Sequence, residues 1–302
     1  MLVEEALSAL ALRPQGLYVD ATFGRGGHAA RILAALGSEG RLIALDRDPA
    51  AIAAGRERFK HEPRLALVHS PFDRLTLVVR AHAARADCDG ILFDLGVSSP
   101  QLDEAARGLS FSRDGPLDMR LDPTSGEPVS AWLARAPREE IRNVIRRYGE
   151  ERFADRIASE IVRSRASHPL TRTGELAALV ARSVHTRTAG THPATRTFQA
   201  LRIFINDELG QLERALPQAL ELLALGGRLV IISFHSLEDR IAKQFIRRHS
   251  ESDPRLARLP LPPPSMPSPP LRRLGKQRAS DSEVTANPRS RSAMLRAAER
   301  VA

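Results

Sequence analysis

Asp20-Ala21-Thr22-Phe23-Gly24-Arg25-Gly26-Gly27-His28 is a glycine-rich turn between an apolar run, residues 17–20, and a helical segment, residues 29–36. Glycines let a backbone approach a ligand closely, and the amino end of the following helix favours negative groups. A second carboxylate, Asp46, ends the next apolar run 26 residues after Asp20. A carboxylate at that place can accept hydrogen bonds from both hydroxyls of a ribose. The stretch therefore predicts an adenosine-containing ligand at the first turn of an α/β domain.

Two adenosine-containing cofactors fit this turn. A dinucleotide site has the pattern G-x-G-x-x-G, of which Gly24, Gly26 and Ala29 match only the looser ending. An S-adenosylmethionine site has an acidic residue four positions before the first glycine, and Asp20 stands there. The pattern favours a methyltransferase over a dehydrogenase, and the bland alternative is a plain tight turn with exposed carboxylates.

Strand and helix signals alternate at the start of the chain and then change. Four apolar runs typical of strands are separated by helical segments: 17–20, 41–46, 65–68 and 91–94. This alternation predicts βαβ units and a parallel sheet. The signals become purely helical over residues 132–185, and strand chemistry returns at 226–234. We therefore expect an α/β domain formed by residues 1–105 and 197–302, with an all-α domain, residues 106–196, inserted before the fifth strand.

Three further expectations concern the second half of the chain. A long helix from Phe198 towards Leu225 is expected to break at Pro217. Residues 260–270 contain seven prolines and are predicted to form an extended linker. Residues 294–301 are predicted to form a strand of the sheet.

The positive charge of the chain is concentrated at its end. Of 45 basic residues 42 are arginine, and the formal net charge is +9. Residues 240–302 hold 14 basic and 5 acidic side chains, so the preceding residues are neutral overall. Arginine binds phosphate bidentately, and the asymmetry predicts contact with a polyanion. The alternative is an arginine-biased, solvated surface. Arg272, Arg273, Lys276 and Arg278 form a cluster that we expect to be exposed.

The overall composition excludes several classes of protein. The chain has 302 residues, of which 42% are apolar and 27% charged, as in a soluble globular protein. Cys88 is the only cysteine, which excludes a disulfide framework and a multi-cysteine metal site. No His/Asp/Glu spacing suggests a metal site, and no apolar run reaches the ~18 residues of a membrane span. We expect a cytoplasmic protein with no metal and no membrane partner.

Eight motifs occur along the chain in this order: Phe23-Gly24-Arg25-Gly26-Gly27-His28, Asp46-Arg47-Asp48-Pro49, Asp94-Leu95-Gly96-Val97-Ser98-Ser99-Pro100-Gln101, Asp114-Gly115-Pro116-Leu117-Asp118-Met119-Arg120, Tyr148-Gly149-Glu150-Glu151-Arg152, His192-Pro193-Ala194-Thr195-Arg196-Thr197-Phe198-Gln199-Ala200-Leu201-Arg202, Ser233-Phe234-His235-Ser236-Leu237-Glu238-Asp239-Arg240 and Asn287-Pro288-Arg289-Ser290-Arg291-Ser292. Together they closely resemble the bacterial 16S ribosomal RNA cytosine-N4 methyltransferase family, also called the MraW or RsmH family. The resemblance covers almost the whole chain. It implies a class I, Rossmann-like methyltransferase domain that uses S-adenosylmethionine and carries an inserted all-α, RNA-binding domain.

The family acts on a cytosine of 16S rRNA in the small ribosomal subunit, conventionally numbered 1402. Carried over position by position, the resemblance implies a cofactor site made of Gly26, Gly27 and His28 around the methionine part, Asp46 at the ribose, Phe72 against the adenine, and Asp94 and Gln101 completing the pocket. Phe72 could instead be a core residue. The chain departs from the family before residues 1–7, where members usually have a few more residues including a histidine. We expect either a start codon assigned late or the loss of that contact.

Methylation of the cytosine amine needs a group that accepts a hydrogen bond from it and takes up its proton. Many amine methyltransferases use an Asp/Asn-Pro-Pro-aromatic motif after strand four, where this chain has Asp94-Leu95-Gly96-Val97. Carbon-5 methylation would need a cysteine near the carboxyl end of that strand, whereas Cys88 is expected to precede the strand. Amine methylation is therefore the better interpretation.

Asp118 and His235 are the candidate catalytic acceptors. His235 could instead be a structural residue bonded to the turn at 238–240, and Asp118 could pair with Arg113 or Arg120. Two other functions remain open: a DNA cytosine-N4 methyltransferase, and a cofactor-binding RNA chaperone without catalysis. In the helical domain, Arg146, Arg147 and Arg152 are the alternative RNA contacts to the C-terminal cluster.

Overall fold

The computed structural model describes residues 1–85, 87–184, 192–251 and 268–302. These residues form two compact units, of which the first comprises Met1–Gly96 and Leu209–Ala302 and the second Val97–Glu208. The second unit is longer at both ends than the helical domain expected at 106–196. It extends beyond the expected start because Leu102 packs on the helical core, and beyond the expected end because Phe198 and Leu201 are buried in that core.

The first unit is built on one sheet with seven strands: β1 (Leu17–Asp20), β2 (Arg41–Asp46), β3 (Leu65–His69), β4 (Cys88–Asp94), β5 (Leu223–Ser233), β6 (Leu271–Arg278) and β7 (Met294–Arg300). The strand order is β3-β2-β1-β4-β5-β7-β6. Strands β1 to β5 are parallel, and β7 is antiparallel to both of its neighbours. The order reverses between β1 and β4, and open α/β sheets bind ligands at such a point, beyond the carboxyl ends of the strands. This is the α/β, Rossmann-like architecture that the sequence predicts.

Helices cover both faces of this sheet: α1 (Val3–Leu10), α2 (Gly27–Ala35), α3 (Pro49–Arg58), α4 (Leu75–His82), α11 (Glu208–Leu222) and α12 (Ser236–Ser250). A short helix without buried residues, α13 (Asp281–Ala286), lies between β6 and β7 in the chain. Two apolar clusters separate helices from sheet, one containing Ile231 with Leu216 of α11, the other Ile232 with Ile32 of α2. Because Ile231 and Ile232 are neighbours on one strand, their side chains point to opposite faces. The sheet is therefore buried on both sides, which explains why its central strands are continuously apolar.

The second unit is helical, with α5 (Ser99–Asp103), α6 (Val129–Arg135), α7 (Arg138–Gly149), α8 (Ala154–Arg165), α9 (Thr173–Ser183) and α10 (Thr195–Ile205). Ile141 and Ile145 of α7 and Ile157 and Ile161 of α8 are fully buried in its core. They recur three to four residues apart, the spacing of one helix face, in the part of the sequence where only helical signals were found.

The expected break at Pro217 is wrong, because Pro217 lies inside α11. The chain turns earlier, at Asn206 and Asp207, where Asp207 has a left-handed φ of 48°. Asn206 is 2% exposed, and its Oδ1 accepts the Leu121 N–H at 2.8 Å. Its Nδ2 donates to the Met119 carbonyl, also at 2.8 Å. The side chain of Asn206 thus ends α10 by bonding a distant loop, a contact that local sequence does not reveal.

The C-terminal part is a two-stranded addition to the sheet. The expected strand at 294–301 is confirmed as β7. Strand β6 forms the outer edge, and seven of its eight residues are exposed. Residues 260–267 of the proline-rich segment lie outside the described residues. Within the described parts of the chain, no helix combines the length and the apolar character needed to cross a membrane.

Replacing Asn206→Ala should destabilise the helical unit. The change leaves the Leu121 N–H and the Met119 carbonyl without that partner, and each buried unsatisfied group costs about 1–3 kcal/mol. We expect the free energy of unfolding, measured by urea denaturation of the full chain, to fall by roughly 2–4 kcal/mol. Asn143→Ala, at an exposed position of α7, is the control and should change it little. Equal stabilities for the two variants would contradict the role given to Asn206.

Candidate cofactor and catalytic site

Three aspartates stand at the carboxyl ends of neighbouring strands in the first unit. Asp20 ends β1, Asp46 ends β2 and Asp94 ends β4. The parallel registers of β1 with β2 and of β1 with β4 bring these ends to one edge of the sheet. Since each strand is fixed by apolar packing on both faces, the three carboxylates are held at the point where the strand order reverses.

The glycine-rich turn connects β1 to α2 beside these aspartates. Gly24 and Gly26 have φ values of 55° and 72°, in the left-handed region that favours glycine. A Cβ on Gly26 would lie 2.8 Å from the rings of Phe23 and Phe59, so the backbone of the turn packs closely against these two rings. A Cβ on Gly27 would meet no described atom within 4 Å. The backbone of α2 at Gly27 therefore faces open space, and among the described residues no side-chain hydrogen bond caps this end of the helix.

Asp46 fastens the turn to the sheet. Its Oδ2 accepts the Gly24 N–H at 2.7 Å, and its Oδ1 accepts the Asp48 N–H at 2.8 Å. Burial raises the pKa of Asp46 above its usual range. Each carboxylate oxygen has a second lone pair, so both can still accept a hydroxyl from a ligand.

Asp20 is fully buried, and only one of its two carboxylate oxygens accepts a hydrogen bond from a described residue. Its Oδ1 accepts the Thr22 N–H at 3.1 Å, while its Oδ2 has no hydrogen-bond partner among the described residues. Burial raises the pKa of Asp20 to about 7, and the negative charges of Asp94 and Asp46 add to that rise.

Asp94 also has a carboxylate oxygen without a described partner, although its side chain is 20% exposed. Its backbone N–H donates to Thr22 Oγ1 at 2.6 Å, but its carboxylate Oδ1 has no hydrogen-bond partner among the described residues. Burial raises the pKa of Asp94 to about 7, and the charges of Glu238 and Glu283 also act in that direction. Two buried carboxylates with unused oxygens thus lie at one sheet edge.

His28 lies on the first turn of α2, next to these carboxylates. Its Nδ1 is 3.4 Å from Asp94 Oδ2, and its side chain is 7% exposed. Burial lowers the pKa of His28 to about 4, so the ring is neutral at pH 7. Its Nε2 donates to the Met1 carbonyl at 3.1 Å, so in the neutral ring Nδ1 is an acceptor that adds no charge.

Phe72 follows β3 at the start of a short 3-10 helix, Phe72–Arg74. Its ring meets the Phe93 ring edge-on at a centroid distance of 5.7 Å, and its side chain is half-buried. One side of the ring therefore packs on the core, and the other is available to a flat ligand. The predicted contact with adenine is compatible with this position.

Gln101 belongs to the second unit and has a local role there. Its Oε1 accepts the Ser98 N–H at 2.8 Å and completes a capping box at the start of α5. Its part in the cofactor pocket stays a prediction.

The two predicted catalytic acceptors both have close partners. Asp118 receives two bonds from the Arg120 guanidinium, at 2.8 Å each. Burial alone would raise its pKa, but these bonds hold the pKa of Asp118 below its usual range. His235 caps α12: its Nδ1 accepts the Glu238 N–H at 3.4 Å, and its Nε2 lies 3.1 Å from Glu238 Oε1. The structure therefore contains the alternative contacts considered for both residues.

Cys88 is the first residue of β4 rather than a residue before it, which corrects the expected start of the strand. It still lies at the amino end of β4, the end opposite to Asp94. Burial raises the pKa of the Cys88 thiol to about 12. The thiolate that carbon-5 methylation needs is thus not accessible at neutral pH.

Two contributors to the site were absent from the predicted residue set. Asp20 supplies an unused carboxylate oxygen, and Thr22 joins the glycine turn to β4 through its hydroxyl. The position of Asp20, four residues before the first glycine of the turn, was the sequence feature that pointed to it. Nothing in the sequence signals the bond between Thr22 and Asp94.

The helical unit has a cavity of its own, with a volume of about 420 Å³. Tyr148, Phe204, Arg147, Asn143 and Glu140 contribute to its lining. The Tyr148 and Phe204 ring centroids are 6.4 Å apart, and the Arg147 guanidinium lies 5.2 Å from the Tyr148 ring centroid. Aromatic faces combined with an amide and a guanidinium suit a nucleotide.

Comparisons with known proteins show the family of the chain. A model of the MraW methylase family matches residues 1–301. The ribosomal RNA small subunit methyltransferase H of Thiobacillus denitrificans is 57% identical over 303 residues, covering 100% of this chain and 96% of that protein. Proteins of the same name from Dechloromonas aromatica and Azoarcus sp. are 56% and 55% identical, covering 100% and 99% of this chain and 97% and 96% of those proteins. Matched along almost its whole length, the chain belongs to the MraW methylase family.

Proposed function

We propose that this chain transfers a methyl group from S-adenosylmethionine to the N4 amine of a cytosine in 16S rRNA, at the family's target position 1402. The small-subunit rRNA substrate is supported by the names of its curated relatives. The observation that carries the chemistry is the group of three carboxylates at the edge of the sheet, the buried Asp20 and the partly buried Asp46 and Asp94.

The charge of that edge discriminates between the two cofactors that the glycine turn allows. A dinucleotide would bring a pyrophosphate, which two buried carboxylates with unused oxygens, Asp20 and Asp94, would repel. S-adenosylmethionine carries a positive sulfur and an ammonium group, which the same carboxylates attract. Its carboxylate matches the uncapped N–H groups at the start of α2, next to the open space at Gly27. The residues present therefore fit S-adenosylmethionine.

The chain would hold this cofactor with residues from four turns. The turn after β1 supplies Gly26, Gly27 and His28 for the methionine part, the end of β2 supplies Asp46 for the ribose, the turn after β3 supplies Phe72 for the adenine, and the end of β4 supplies Asp94. The resemblance adds Gln101 to this set.

S-adenosylmethionine supplies a methyl group on a positively charged sulfur. The cytosine amine is a weak nucleophile, since its lone pair is delocalised into the ring. The chain must therefore accept a hydrogen bond from the amine and take its proton as the new N–C bond forms. Asp94 Oδ1 is suited to this step, because it is buried, has no described partner and has a pKa near 7.

Asp118 and His235 remain candidates for the same reaction, with a narrower role. Arg120 occupies both oxygens of Asp118, and His235 is engaged by Glu238. Both side chains are thus fixed in orientation, which suits groups that position the base rather than take its proton.

A base within folded rRNA must leave its stack to reach the methyl group. The helical unit offers a candidate surface for the flanking nucleotides, since Arg146, Arg147 and Arg152 are exposed on it.

A DNA cytosine-N4 methyltransferase and a non-catalytic RNA chaperone are the competing functions. Incubating the protein with tritiated cofactor and assembled small subunits, naked rRNA or duplex DNA separates the three. Loss of the N4-methyl group from the rRNA of a deletion strain, seen by mass spectrometry, would support the proposal.

The affinity for S-adenosylmethionine should rise between pH 6 and pH 8. Burial raises the pKa of Asp20 and of Asp94 to about 7, so both lose their protons across this range and become attractive to a cation. Each carboxyl whose ionised form the cation requires contributes roughly a tenfold change over these two pH units. Calorimetry at pH 6, 7 and 8 measures the effect.

S-adenosylhomocysteine, whose sulfur is uncharged, is the control ligand and should show a smaller rise. Asp20→Asn should reduce the pH dependence for S-adenosylmethionine by removing one titrating group. Identical pH dependence for the two ligands would refute the electrostatic argument.

Asp46→Ala should weaken cofactor binding by one to two orders of magnitude. The variant loses a charged acceptor for the ribose, and hydrogen bonds to charged groups contribute about 1.5–3 kcal/mol. It also releases the Gly24 N–H and so loosens the glycine turn. The matched control is Asp239→Ala, which removes an aspartate of α12 that is paired with Arg296 of β7. Affinity in the Asp46 variant equal to that of the control would exclude the ribose contact.

Asp94→Asn, Asp118→Asn and His235→Ala should all slow single-turnover methyl transfer, but in different ways. Removing a general base costs about 10²–10⁴-fold in rate, which we expect for Asp94. With the cofactor well below saturation, the wild-type rate should rise with pH through about 7, as Asp94 of the free chain loses its proton. The rise should be smaller in Asp94→Asn, where Asp20 still titrates near pH 7, and unchanged in the other two variants. An unchanged rise in Asp94→Asn would assign the acceptor elsewhere.

A further inference from the structure

The four basic residues that the sequence groups together are separated by the structure into two pairs with different surroundings. All four lie exposed on β6, the edge strand of the sheet. Arg272 bonds Glu299 at 2.7 Å, and Arg273 bonds Glu251 at 2.9 Å. Among the described residues, no acidic partner is recorded for Lys276 or Arg278. The first pair is therefore neutralised by its own neighbours, and the second is not.

The strand register shows which end of the sheet each pair occupies. Arg278 is opposite Met294 of β7, and Met294 is opposite Ser233 at the end of β5. In the next strand Asp94 is opposite Ile232, one residue before Ser233. Arg278 thus lies at the carboxyl edge with Asp94. Leu271, which precedes Arg272, is opposite Arg300 at the other edge.

The register also gives a distance. Three strand spacings separate β6 from β4, and neighbouring strands are ~4.8 Å apart, which places the backbone of Arg278 about 14 Å from that of Asp94. The charges of one nucleic-acid strand are ~3.4 Å apart along a stacked helix axis. A strand whose base reaches Asp94 therefore needs roughly four nucleotides to cover β6.

A second basic element lies at this edge. The 3-10 helix Pro288–Ser292 leads directly into the start of β7, and it carries Arg291 as an exposed side chain. Its backbone is held by Asn287 and Ser290: the Arg289 N–H donates to Asn287 Oδ1 at 3.3 Å, and Ser290 Oγ donates to the Asn287 carbonyl at 2.8 Å. This gives the Asn287-Pro288-Arg289-Ser290-Arg291-Ser292 motif a physical role, since it presents an arginine from a rigid turn.

The local charge balance favours an anion. Residues 276–292 contain four basic and two acidic side chains. One of the acidic residues, Glu283, accepts the Leu2 N–H at 2.7 Å, and the other, Asp281, is exposed in the first turn of α13. The segment keeps a surplus of positive charge beside the sheet edge that holds the buried carboxylates.

We propose that Lys276, Arg278 and Arg291 form a binding ridge for the phosphate backbone of the substrate RNA, next to the base that is methylated. This proposal rests on the proposed function, because it assigns the ridge to the same RNA. Phosphate contacts of this kind position a strand without reading its sequence. The ridge therefore sets the register of the RNA at the cofactor site, and Arg272 and Arg273 take no part in it.

The test compares two triple variants of the full chain that remove equal charge. The ridge variant is Lys276→Gln, Arg278→Gln and Arg291→Gln. The control variant is Arg247→Gln, Arg272→Gln and Arg273→Gln, three arginines that lie near Glu251 or Glu299. Binding of a 16S rRNA transcript is measured by fluorescence anisotropy over a series of KCl concentrations, and S-adenosylmethionine affinity is measured in parallel.

Each lost phosphate contact reduces the slope of log K against log salt by ~0.7–0.9. We expect the ridge variant to lose about 2–3 units of slope, and the control to lose less than half as much. Cofactor affinity should be unchanged in both. An equal loss of slope in the two variants, or no loss in the ridge variant, would overturn the proposal.

Further outcomes separate the ridge from the proposed function. If the wild-type chain binds the transcript with a ridge-dependent slope but transfers no methyl group to it or to assembled subunits, the function fails and the ridge is supported. If the wild-type chain methylates and the whole slope is lost in Arg146→Gln, Arg147→Gln and Arg152→Gln instead, the ridge fails and the function stands.

Discussion

Three carboxylates at adjacent strand ends, Asp20 fully buried and Asp46 and Asp94 partly buried, are the constraint on which this molecule depends. An ionised carboxylate removed from water is costly unless a positive charge or hydrogen bonds replace the lost solvation. Asp46 has two backbone N–H donors, but Asp20 and Asp94 each keep one oxygen without a described hydrogen-bond partner. Their raised pKa values express that cost. The Met1 ammonium lies 3.8 Å from Asp94 Oδ2, but Asp94 Oδ1 and Asp20 Oδ2 have no hydrogen-bond partner among the described residues. The edge of the sheet is therefore complementary to a further cation, which is the electrostatic character of the methyl donor.

The fold is what keeps these groups in place. Strands buried on both faces cannot slide by one residue without moving their apolar side chains to the wrong face, so the strand ends are fixed with the core. The glycine turn is attached to this frame at two points, through Asp46 to β2 and through Thr22 to β4. Gly26 packs closely against the rings of Phe23 and Phe59, which fixes the position of the turn, and Gly27 faces open space. The same strand registers therefore determine both the packing of the apolar core and the positions of the site residues.

Features with a local periodic signal were predictable from the sequence, and features that depend on distant partners were not. The strands, the parallel sheet and the apolar helix faces follow from runs and spacings within a few residues. The end of α10 depends on Asn206 bonding a loop 85 residues away, so Pro217 was the wrong place to expect a break. Strand β6 has an almost wholly exposed, basic sequence, and only its pairing with β7 makes it a strand. The candidate site was predictable for Asp46 and the glycines. For Asp118 and His235 the sequence allowed both a catalytic role and a structural contact, and the structure shows which contacts form, with Arg120 and with Glu238.

Charge along the sequence and charge in the structure carry different information. The C-terminal surplus of +9 is a property of composition, but ion pairing decides where it acts. At the amino edge of the sheet, Glu299 lies within salt-bridge distance of both Arg228 and Arg272, and Asp89 contacts Arg13 and Arg85. At the carboxyl edge, largely buried acids end β1, β2 and β4, where the Met1 ammonium lies 3.8 Å from Asp94 Oδ2, and exposed bases end β6. A buried acid attracts a cationic cofactor strongly because little water screens it, whereas exposed bases attract a polyanion through released counterions. One sheet edge can therefore hold a cation and an RNA strand about 14 Å apart, because burial keeps the two attractions from cancelling.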